Sequence, residues 1–371
     1  MTSAPAMPEP DAPQISLSLM AHGLDLEATL TSGQAFSWKR TADGRWRGWI
    51  DRRPCLVWAD GDALRAVGPG LTRDAVSSYF ALDLPDVGRF RGNAHFSRGG
   101  PEAVFRHIKT VVPDLETLGH RPSLTELCKR EEGLIILTGM TGAGKTTTMA
   151  SMVQRISSVR SGVIITIEDP IEYLLPDNLC IVKQREVGTD TKSFANGLRQ
   201  ILKQDPDVIV VGEMGDRETM QVALSAAETG HLVIGTLHTI DAPNSIHRIL
   251  DFFPGVQQNQ IVTQLASCLV AVVSQRLLPR ADGNGRVIAT ETMIANPGIR
   301  VCIRDRKVHI IPGLMEIGSQ EGMNTLDESL AQLVKSNLIT YEEAIIHARD
   351  RDRIPSQPKP SAKKKKKGFF S

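Results

Sequence analysis

A glycine-rich turn between an apolar run and a helix-favouring run constrains the fold of this chain more than any other stretch. Residues 134–137 (Leu-Ile-Ile-Leu) indicate a buried strand, and residues 147–156 favour a helix. A strand, such a turn and a helix in that order are the context that a phosphate-binding loop requires. The turn fits the pattern G-x-x-x-x-G-K-S/T and comprises Gly139, Met140, Thr141, Gly142, Ala143, Gly144, Lys145 and Thr146, followed by Thr147.

The residue types in this loop predict how it binds a nucleotide. Gly139 and Gly144 allow the backbone to curl so that successive N–H groups point inward, and the helix N-terminus adds a partial positive charge. Lys145 is expected to reach the β- and γ-phosphates, and the Thr146 hydroxyl to bind Mg²⁺. We therefore predict ATP and Mg²⁺ as ligands. The alternative is a glycine-rich turn with a chance lysine, which the flanking strand and helix disfavour.

Apolar runs alternate with helix-favouring runs through residues 131–300, as in a parallel sheet with helices on both faces. The predicted fold class is α/β: a RecA-like P-loop NTPase core with a mainly parallel sheet, preceded by a small α+β module and followed by C-terminal helices. The predicted strands of the core cover residues 163–167, 208–211 and 230–238, and its predicted helices cover residues 193–203 and 217–229.

Acidic residues follow two of the predicted strands. Glu168, Asp169 and Glu172 follow the second strand, and Glu213 closes the third. Functional residues of such sheets cluster at the carboxyl ends of strands, so these carboxylates are candidate site residues. An acid in the position of Glu213 usually holds Mg²⁺ or its water, although aspartate is more common there than glutamate.

Two histidines, His231 and His238, flank the predicted fourth strand. A lone histidine is usually structural, and two at the ends of a central strand also suit a sensing or coupling role. Both interpretations stay open on the sequence alone.

Composition narrows the class of protein. The 371 residues carry a formal net charge of +1, which gives no general argument for nucleic acid or membrane binding. The five cysteines are scattered without a C-x-x-C pair, which argues against a zinc site or a disulfide framework. No apolar run approaches the ~20 residues of a membrane span, and the N-terminus lacks signal-peptide features. We predict a cytoplasmic protein without an integral membrane segment.

Short strands with tight turns and a helix over residues 72–80 are predicted for the first module, residues 15–86. Residues 24–30, the Ser-Gly-Gln-Ala-Phe-Ser-Trp string at 32–38, and residues 44–46 and 79–83 resemble the N-terminal domain of 8-oxoguanine DNA glycosylases. In that family the glycine matching Gly33 offers its carbonyl to the damaged base. The catalytic hairpin domain of the family has no match after Asp83, so glycosylase activity is not expected. DNA binding by this module is an alternative that the charge pattern does not favour.

The ordered motifs of the core resemble a family. They are the phosphate loop at 139–146, the acidic box at 166–172, the strand end at 211–214, the histidine box at 226–239 and the Ile-Arg-Val-Cys-Ile-Arg-Asp element at 299–305. Together they resemble the type IV pilus retraction ATPases (PilT- and PilU-like) of the secretion ATPase superfamily, over about residues 88–348. The resemblance implies a hexameric, ATP-hydrolysing motor for twitching motility. It also implies a peripheral location at the inner membrane and an inner-membrane platform protein as a partner.

The same resemblance implies roles for individual residues. Glu172 would orient or deprotonate the attacking water, Glu213 would support Mg²⁺, and Lys145 would bind the phosphates. Arg89 and Arg91 match the strand that lends arginines to a neighbouring subunit's site, and the alternative for them is a solvated strand edge. The retraction element carries Arg300 and Arg304.

Several positions depart from this family's pattern. The family usually has arginine where Lys203 and Gly215 stand, and lysine lacks the bidentate fork of arginine. Gly298 and the pair Val301 and Cys302 also differ from the family's residues. A ring protein that binds nucleotide but barely hydrolyses it is therefore an alternative, given Lys203 and Gly215. An assembly or secretion ATPase of the same superfamily is another, which the element at 300–305 and the lack of a cysteine-rich zinc insert disfavour.

The predicted domain order has five parts. Residues 1–14 are predicted to be disordered. The α+β module at 15–86 stands in place of most of the family's PAS-like N-terminal domain. Because the family uses that domain to assemble its ring, the sequence does not decide whether this chain forms a hexamer. Residues 87–122 form the remnant and linker, with a strand at 89–96, a helix at 102–108 and an extended segment at 111–118. Residues 123–350 form the ATPase domain, which starts with a helix at 124–130 capped by Ser123. Its C-terminal helices cover residues 307–317, 324–335 and 341–349, and Thr340 and Glu343 form a capping box at the last one. The lysine-rich tail at 351–371 is flexible, and is either a solvated tail or an aid to membrane apposition.

Overall fold

The computed structural model describes the backbone of the strands within residues 15–108, and backbone and side chains of residues 111–356. The chain divides into two units, residues 1–111 with 172–174, and residues 112–171 with 175–371. The predictions for residues 1–14, for the string at 32–38 and for residues 357–371 lie outside the described residues. The domain boundaries drawn from the sequence remain predictions.

The described backbone of the first unit forms an eight-stranded sheet in the order β2-β3-β4-β5-β1-β8-β7-β6. Neighbouring strands pair antiparallel, except that β1 and β8 are parallel. The strands are Ile15–Ser18 (β1), Lys39–Arg40 (β2), Trp46–Ile50 (β3), Arg53–Asp60 (β4), Ala63–Val67 (β5), Tyr79–Leu84 (β6), Gly88–Ser97 (β7) and Gly100–Ile108 (β8).

Two helix predictions in this unit conflict with the sheet. The helix predicted at 102–108 is wrong, because these residues form β8, which pairs antiparallel with β7 directly after the turn at Ser97 and Gly100. Cross-strand pairing outweighs the local helix preference of Glu102 and Ala103. The helix predicted at 72–80 is wrong at its end, because β6 starts at Tyr79. The strand predicted at 89–96 is confirmed as β7.

The second unit is built on a seven-stranded sheet in the order β11-β10-β12-β13-β9-β14-β15. All neighbouring pairs are parallel except the β14–β15 pair. The α/β fold class and the predicted core strands are confirmed. The strands are Gly133–Thr138 (β9), Gly162–Glu168 (β10), Cys180–Glu186 (β11), Val208–Val211 (β12), Leu232–Leu237 (β13), Leu269–Pro279 (β14) and Arg286–Ile294 (β15).

Helices cover both faces of this sheet, and β9 shows why. Leu134 and Ile136 belong to one hydrophobic cluster, Ile135 and Leu137 to another, and all four are fully buried. A strand buried on both faces reads as a continuous apolar run, as strands of parallel sheets do. The helices are Pro122–Leu127 (α1), Lys145–Val159 (α2), Phe194–Ile201 (α3), Arg217–Glu228 (α4), Ala242–Asp251 (α5), Gly255–Cys268 (α6), Pro297–Arg304 (α7), Ile311–Ile317 (α8), Leu326–Lys335 (α9) and Tyr341–His347 (α10).

Helix ends differ from the sequence predictions in two places. Helix α1 starts with Pro122 in its first turn and Arg121 at the N-cap, so the prediction of Ser123 as the cap is wrong. Thr340 caps α10 by accepting a hydrogen bond from the Glu343 N–H at 3.2 Å, as predicted. Glu343 does not complete the predicted capping box but pairs with His347 Nε2 at 3.1 Å, one turn along the helix.

The ends of the second unit are more structured than the sequence indicates. Residues 111–118 contain a turn in which Leu115 is 2% exposed and packs in the cluster beside α2, so the extended linker prediction is wrong there. Arg351–Arg353 form a 3-10 turn and Ile354 is buried, inside the stretch for which the sequence predicts a flexible tail.

A complete capping box starts α9 and gives a test of this part of the fold. Thr325 Oγ1 accepts from the Glu328 N–H at 3.3 Å, and the Glu328 carboxylate accepts from the Thr325 N–H at 3.1 Å. We expect Thr325→Ala to lower the free energy of unfolding by about 1 kcal/mol, because a helix N–H loses its partner. Urea unfolding measures this difference. Thr325→Ser keeps the hydroxyl and serves as the control, and an equal loss in both variants would contradict the capping role.

Candidate functional site

The parallel strands bring the chemically interesting segments to one edge of the second unit's sheet. β13 pairs in parallel with β12 on one side and with β9 on the other, and β12 pairs with β10. The segments that leave the carboxyl ends of these strands are the glycine-rich loop after β9, Asp169 after β10, Glu213 after β12 and His238 after β13. The edge predicted from the sequence therefore exists.

The glycine-rich loop depends on backbone angles that favour glycine. Gly139, Gly142 and Gly144 have φ values of +141°, +81° and +89°. The Ala143 N–H donates to the Met140 carbonyl at 3.0 Å, which closes the loop before α2 begins at Lys145. The loop therefore presents the N-terminus of a 15-residue helix to the strand edge.

Gln275 on β14 supports this loop, and sequence reasoning missed it. Its Nε2 donates to the Ala143 carbonyl at 2.8 Å, and the residue is fully buried. The backbone carbonyl oxygen of Gln275 lies 2.4 Å from the position that a Cβ at Gly139 would occupy. Gln275 is 132 residues away from Ala143 in the chain, so no local pattern signals the contact.

Lys145, His238 and Glu213 form a row across the strand ends. Lys145 Nζ donates to the Gly139 carbonyl at 2.7 Å and to the Met140 carbonyl at 3.2 Å. His238 lies with Nδ1 3.4 Å from Lys145 Nζ and with Nε2 3.6 Å from Glu213 Oε1. Burial lowers the pKa of Lys145, and the Glu213 carboxylate opposes that shift. The row places a cation, an imidazole and a carboxylate beside a helix N-terminus.

The acids after β10 have different environments. Glu168 is 6% exposed, and its Oε1 accepts hydrogen bonds from Thr166 Oγ1 at 2.6 Å and Gln184 Nε2 at 2.9 Å. These hydrogen bonds tie Glu168 to its own strand, β10, and to the neighbouring strand, β11. Asp169, in contrast, is exposed. Glu172 falls in the other unit, and its role as the water-orienting carboxylate remains a prediction.

The two histidines of the predicted box lie at opposite ends of β13. Leu232 pairs with Gly133 and Leu237 with Thr138, so His238 follows the strand at the loop edge and His231 precedes it at the far edge. His231 Nδ1 lies 3.0 Å from the carbonyl of Ala226, near the C-terminus of α4. His231 therefore has a structural contact, and only His238 joins the row.

The predicted arginines also separate. Arg300 Nη1 donates to the carbonyls of Ala266 and Ser267 in the last turn of α6, so it caps that helix. Arg304 is exposed in the last turn of α7. The other two predicted arginines, Arg89 and Arg91, lie on β7 opposite Asp83 and Ala81 of β6. Their role in a neighbouring subunit's site stays a prediction.

The two departures from the family's pattern lie in different surroundings. Lys203 is exposed after α3. Gly215 follows Glu213 by two residues, and a Cβ there would lie 2.8 Å from Glu213 Oε1. A larger residue at 215 would therefore move the Glu213 carboxylate.

A buried histidine supports α2 from behind the loop. His120 Nε2 lies 2.9 Å from Thr148 Oγ1, and both residues are buried. The Ser151 hydroxyl, one turn further along α2, donates to the Pro113 carbonyl at 2.6 Å. The segment before α1 thus packs on the first turns of the helix that carries Lys145. The sequence carries no motif that marks His120.

Comparison with known proteins places this chain in a family. Residues 84–339 match the family model described as Type II/IV secretion system protein. The chain belongs to this family. It is 45% identical to a twitching motility protein of Neisseria gonorrhoeae over 265 residues, which is 71% of each chain. It is 43% identical to the type IV pilus retraction ATPase PilT of Pseudomonas aeruginosa over 276 residues, which is 74% of this chain and 79% of PilT.

A solved structure agrees with these sequence matches. The crystal structure of the pilus retraction motor PilT with bound ADP has a TM-score of 0.72 and 39% identity to this chain, covering 88% of this chain and 98% of that one. The α/β architecture of this family member is therefore shared with PilT. Among the residues that the structure describes, no helix has the length and apolar character needed to cross a membrane.

Substitution of the loop glycines tests the close packing against β14. We expect Gly139→Ala to destabilise the protein by roughly 2 kcal/mol or more, because its Cβ would meet a backbone oxygen and its φ is strained. Gly142→Ala is the matched control, since its Cβ position is open and only the backbone strain of ~1 kcal/mol applies. Thermal unfolding compares the two variants. Equal losses would show that the contact with Gln275 does not matter.

The buried imidazole predicts a pH dependence of stability. Burial lowers the pKa of His120 to about 4, from the usual 6.5. Between these values the unfolded chain binds a proton that the folded protein does not, so stability that is present above pH 6.5 is lost as the pH falls. Acidification to about pH 5 is expected to cost roughly 2 kcal/mol through this residue. Urea unfolding at neutral pH and at about pH 5 measures the cost.

His120→Gln should remove this part of the pH dependence, because its amide reaches Thr148 without titrating. The same substitution at His309, which is exposed, is the control and should leave the pH dependence as in wild type. A His120→Gln variant that loses as much stability on acidification as wild type would contradict the assignment.

Proposed function

We propose that this protein is an ATP-hydrolysing motor that powers type IV pilus retraction, and thus twitching motility. The observation that carries the proposal is the row of Lys145, His238 and Glu213 at the phosphate loop, because it places a phosphate-binding cation and a carboxylate at one helix N-terminus. The relatives support it over 71% and 74% of this chain, and the PilT structure over 88% of it.

Nucleotide binding follows from the loop geometry. The N–H groups at the start of α2 and the helix dipole favour the anionic phosphates. Lys145 Nζ, which lies between the Gly139 and Met140 carbonyls, is near enough to the loop to turn toward a bound β- or γ-phosphate. A phosphate there would offset the cost of burying this ammonium group, since it supplies the missing counter-charge.

The residues present fit a magnesium ion bound together with the nucleotide. Thr146 follows Lys145 in the first turn of α2, and the Glu213 side chain is 48% exposed at the same edge. Hydroxyl and carboxylate oxygens suit Mg²⁺, which usually keeps few protein ligands and completes its shell with phosphates and water. When bound, the ion would neutralise charge on the phosphates.

Hydrolysis then depends on positioning of the attacking water and on neutralisation of the charge on the phosphates. Glu172 is the proposed carboxylate that orients or deprotonates the attacking water, by resemblance to the family. Glu213 would hold Mg²⁺ or its water, and His238 between Glu213 and Lys145 would report the state of the phosphates to the segment after β13. Phosphoryl transfer relies mainly on such positioning and charge neutralisation.

The proposed motor works as a homo-hexamer in which Arg89 and Arg91 reach the neighbouring subunit's nucleotide. Its proposed partner is the platform protein of the pilus machine, at the cytoplasmic face of the inner membrane. A ring protein with little turnover is the second candidate, and Gly215 favours it because it stands beside Glu213 where the family usually carries arginine.

Steady-state ATP hydrolysis tests the proposal. We expect Lys145→Ala and Glu172→Gln each to lose about a hundredfold or more in kcat, because each removes a group placed at the phosphates or the water. Lys145→Ala should also lose affinity for ADP, and Glu172→Gln should keep it. Lys129→Ala removes an exposed lysine that pairs with Glu126, and is the control.

The outcomes separate the candidates. If Lys145→Ala and Glu172→Gln both hydrolysed ATP as fast as wild type, the motor proposal would be wrong. If the wild-type protein bound ADP but did not hydrolyse ATP, the ring protein would be favoured. Expression in cells that make type IV pili but lack their retraction ATPase tests whether the protein drives pilus retraction or pilus assembly. Restored twitching with fewer surface pili supports retraction, and more pili without twitching would indicate an assembly ATPase.

A further inference from the structure

Arg349, beyond the last helix of the second unit, reaches two buried carboxylates. Its Nη2 lies 3.1 Å from Asp241 Oδ2, and its Nη1 lies 2.9 Å from Glu291 Oε2. The Glu291 side chain is 1% exposed and that of Asp241 is 11% exposed. Arg349 lies outside the residues 84–339 that match the family model. The ion pairs connect the C-terminal segment with the start of α5 and with β15.

Asp241 and its neighbours hold the segment that leaves β13 after His238. The Asp241 carboxylate accepts from the Asn244 N–H at 2.7 Å and so caps α5. The next residue, Ala242, donates its N–H to Glu291 Oε1 at 2.9 Å. The two acids bound by Arg349 are therefore the same two that fix the start of α5. Residues 238–242 run from the phosphate-loop row directly into this cap.

Two further contacts of the same segment are neutral hydrogen bonds. Ser274 Oγ donates to the Ile240 carbonyl at 3.1 Å, and the Thr239 and Ser245 hydroxyls lie 2.6 Å apart. Arg349 adds two ion pairs to these contacts, one with Asp241 inside the segment and one with Glu291, which accepts from the Ala242 N–H. It is therefore the cation that faces both acids of this short segment, which begins at His238.

The position of Arg349 is itself fixed by a third acid. The N–H groups of Arg349 and Asp350 donate to the two carboxylate oxygens of Asp327 at 2.9 Å and 3.0 Å. Asp327 is buried in the first turn of α9. Five residues after Arg349, Ile354 is buried in a hydrophobic cluster with residues of α9 and β15. The backbone at Arg349 is therefore anchored beside α9, and its side chain reaches the two carboxylates from there.

Electrostatics explains why an arginine is needed at this point. Burial raises the pKa of the Glu291 carboxyl, and the Arg349 guanidinium opposes that rise. A buried carboxylate without a cation is costly, and the nearby Asp241 carboxylate adds to the cost. Without Arg349, exposure to water would lower the free energy of both carboxylates, and the cap of α5 would move with them.

We infer that Arg349 is a positioning residue, which holds residues 238–242 through Asp241 and so keeps His238 between Lys145 and Glu213. This inference rests on the proposed function for its effect on turnover, but its structural part does not. The consequence is that the C-terminal segment, distant in sequence from every motif of the site, contributes to the arrangement of the phosphate-binding edge.

Four variants of the full chain test the inference. Arg349→Ala removes the cation, and Arg349→Lys keeps the charge but cannot contact both acids with one planar fork. Arg353→Ala is the matched control, because Arg353 lies in the same segment, is similarly exposed and pairs with Glu316 at 2.7 Å. The double variant Arg349→Ala with Glu291→Gln neutralises Glu291, the more deeply buried of the two acids, and keeps an oxygen for the Ala242 N–H.

Amide hydrogen exchange, thermal unfolding and the kinetics of ATP hydrolysis are measured on each variant. In Arg349→Ala we expect faster exchange at residues 238–245 and a fall in kcat between about tenfold and a hundredfold, with KM within about twofold. Arg349→Lys should recover part of both. Arg353→Ala should match wild type. The double variant should regain part of the thermal stability, since the more deeply buried of the two charges is gone, while exchange stays fast and kcat stays low.

Two results would overturn the inference. One is unchanged exchange at residues 238–245 in Arg349→Ala, which would show that the segment does not depend on the arginine. The other is recovery of kcat together with stability in the double variant, which would reduce Arg349 to a counter-ion for Glu291. If wild type shows no ATP hydrolysis, the proposed function fails, and the exchange measurement still decides the positioning role.

Discussion

The arrangement of the candidate site depends on the parallel pairing of β13 with β9 on one side and β12 on the other. This pairing brings three carboxyl ends to one edge, so that His238 lies 3.4 Å from Lys145 on one side and 3.6 Å from Glu213 on the other. The strands can pair this way because they are apolar on both faces and are covered by helices on both sides. The site is thus a direct product of how the core buries its apolar residues.

Buried polar groups then hold the loops that leave this edge. Gln275 holds the glycine-rich loop, His120 contacts the first turn of α2, and Glu168 ties β10 to β11. In each of the three residues a buried side-chain atom has a hydrogen-bond partner, and losing such a bond inside the protein costs ~1–3 kcal/mol. These contacts restrain the loop and the start of α2 from neighbouring elements.

Membership of the Type II/IV secretion system protein family and likeness to PilT agree with this geometry. The element at 299–305, which carries the resemblance to the retraction subfamily, has a structural part as well. Arg300 caps α6 through two carbonyls, whereas Arg304 stays exposed. The two arginines of one motif thus differ in role: the first supports the fold, and the second is accessible to a partner. Gly215 lets the Glu213 carboxylate lie where a Cβ at position 215 would displace it.

The sequence by itself determined the α/β class, the core strands and the phosphate loop. Their signals are local: an apolar run, glycines at a turn and a lysine at a helix start are read within about 20 residues. It also placed Glu213 and His238 at strand ends. Local preference failed at β8, where pairing with β7 overrode a helix-favouring stretch. It also failed at Glu343, which contacts His347 and not the N-cap.

Only the tertiary structure decided which of these residues meet. It separated His231 from His238, turned Arg300 into a helix cap, and joined Gln275 to the glycine-rich loop and His120 to α2. It also brought Arg349 to Asp241 and Glu291. Such contacts join residues from different elements, and depend on strand order and on which face each side chain takes. No short pattern records them, because the free energy that selects them comes from burying the whole core at once.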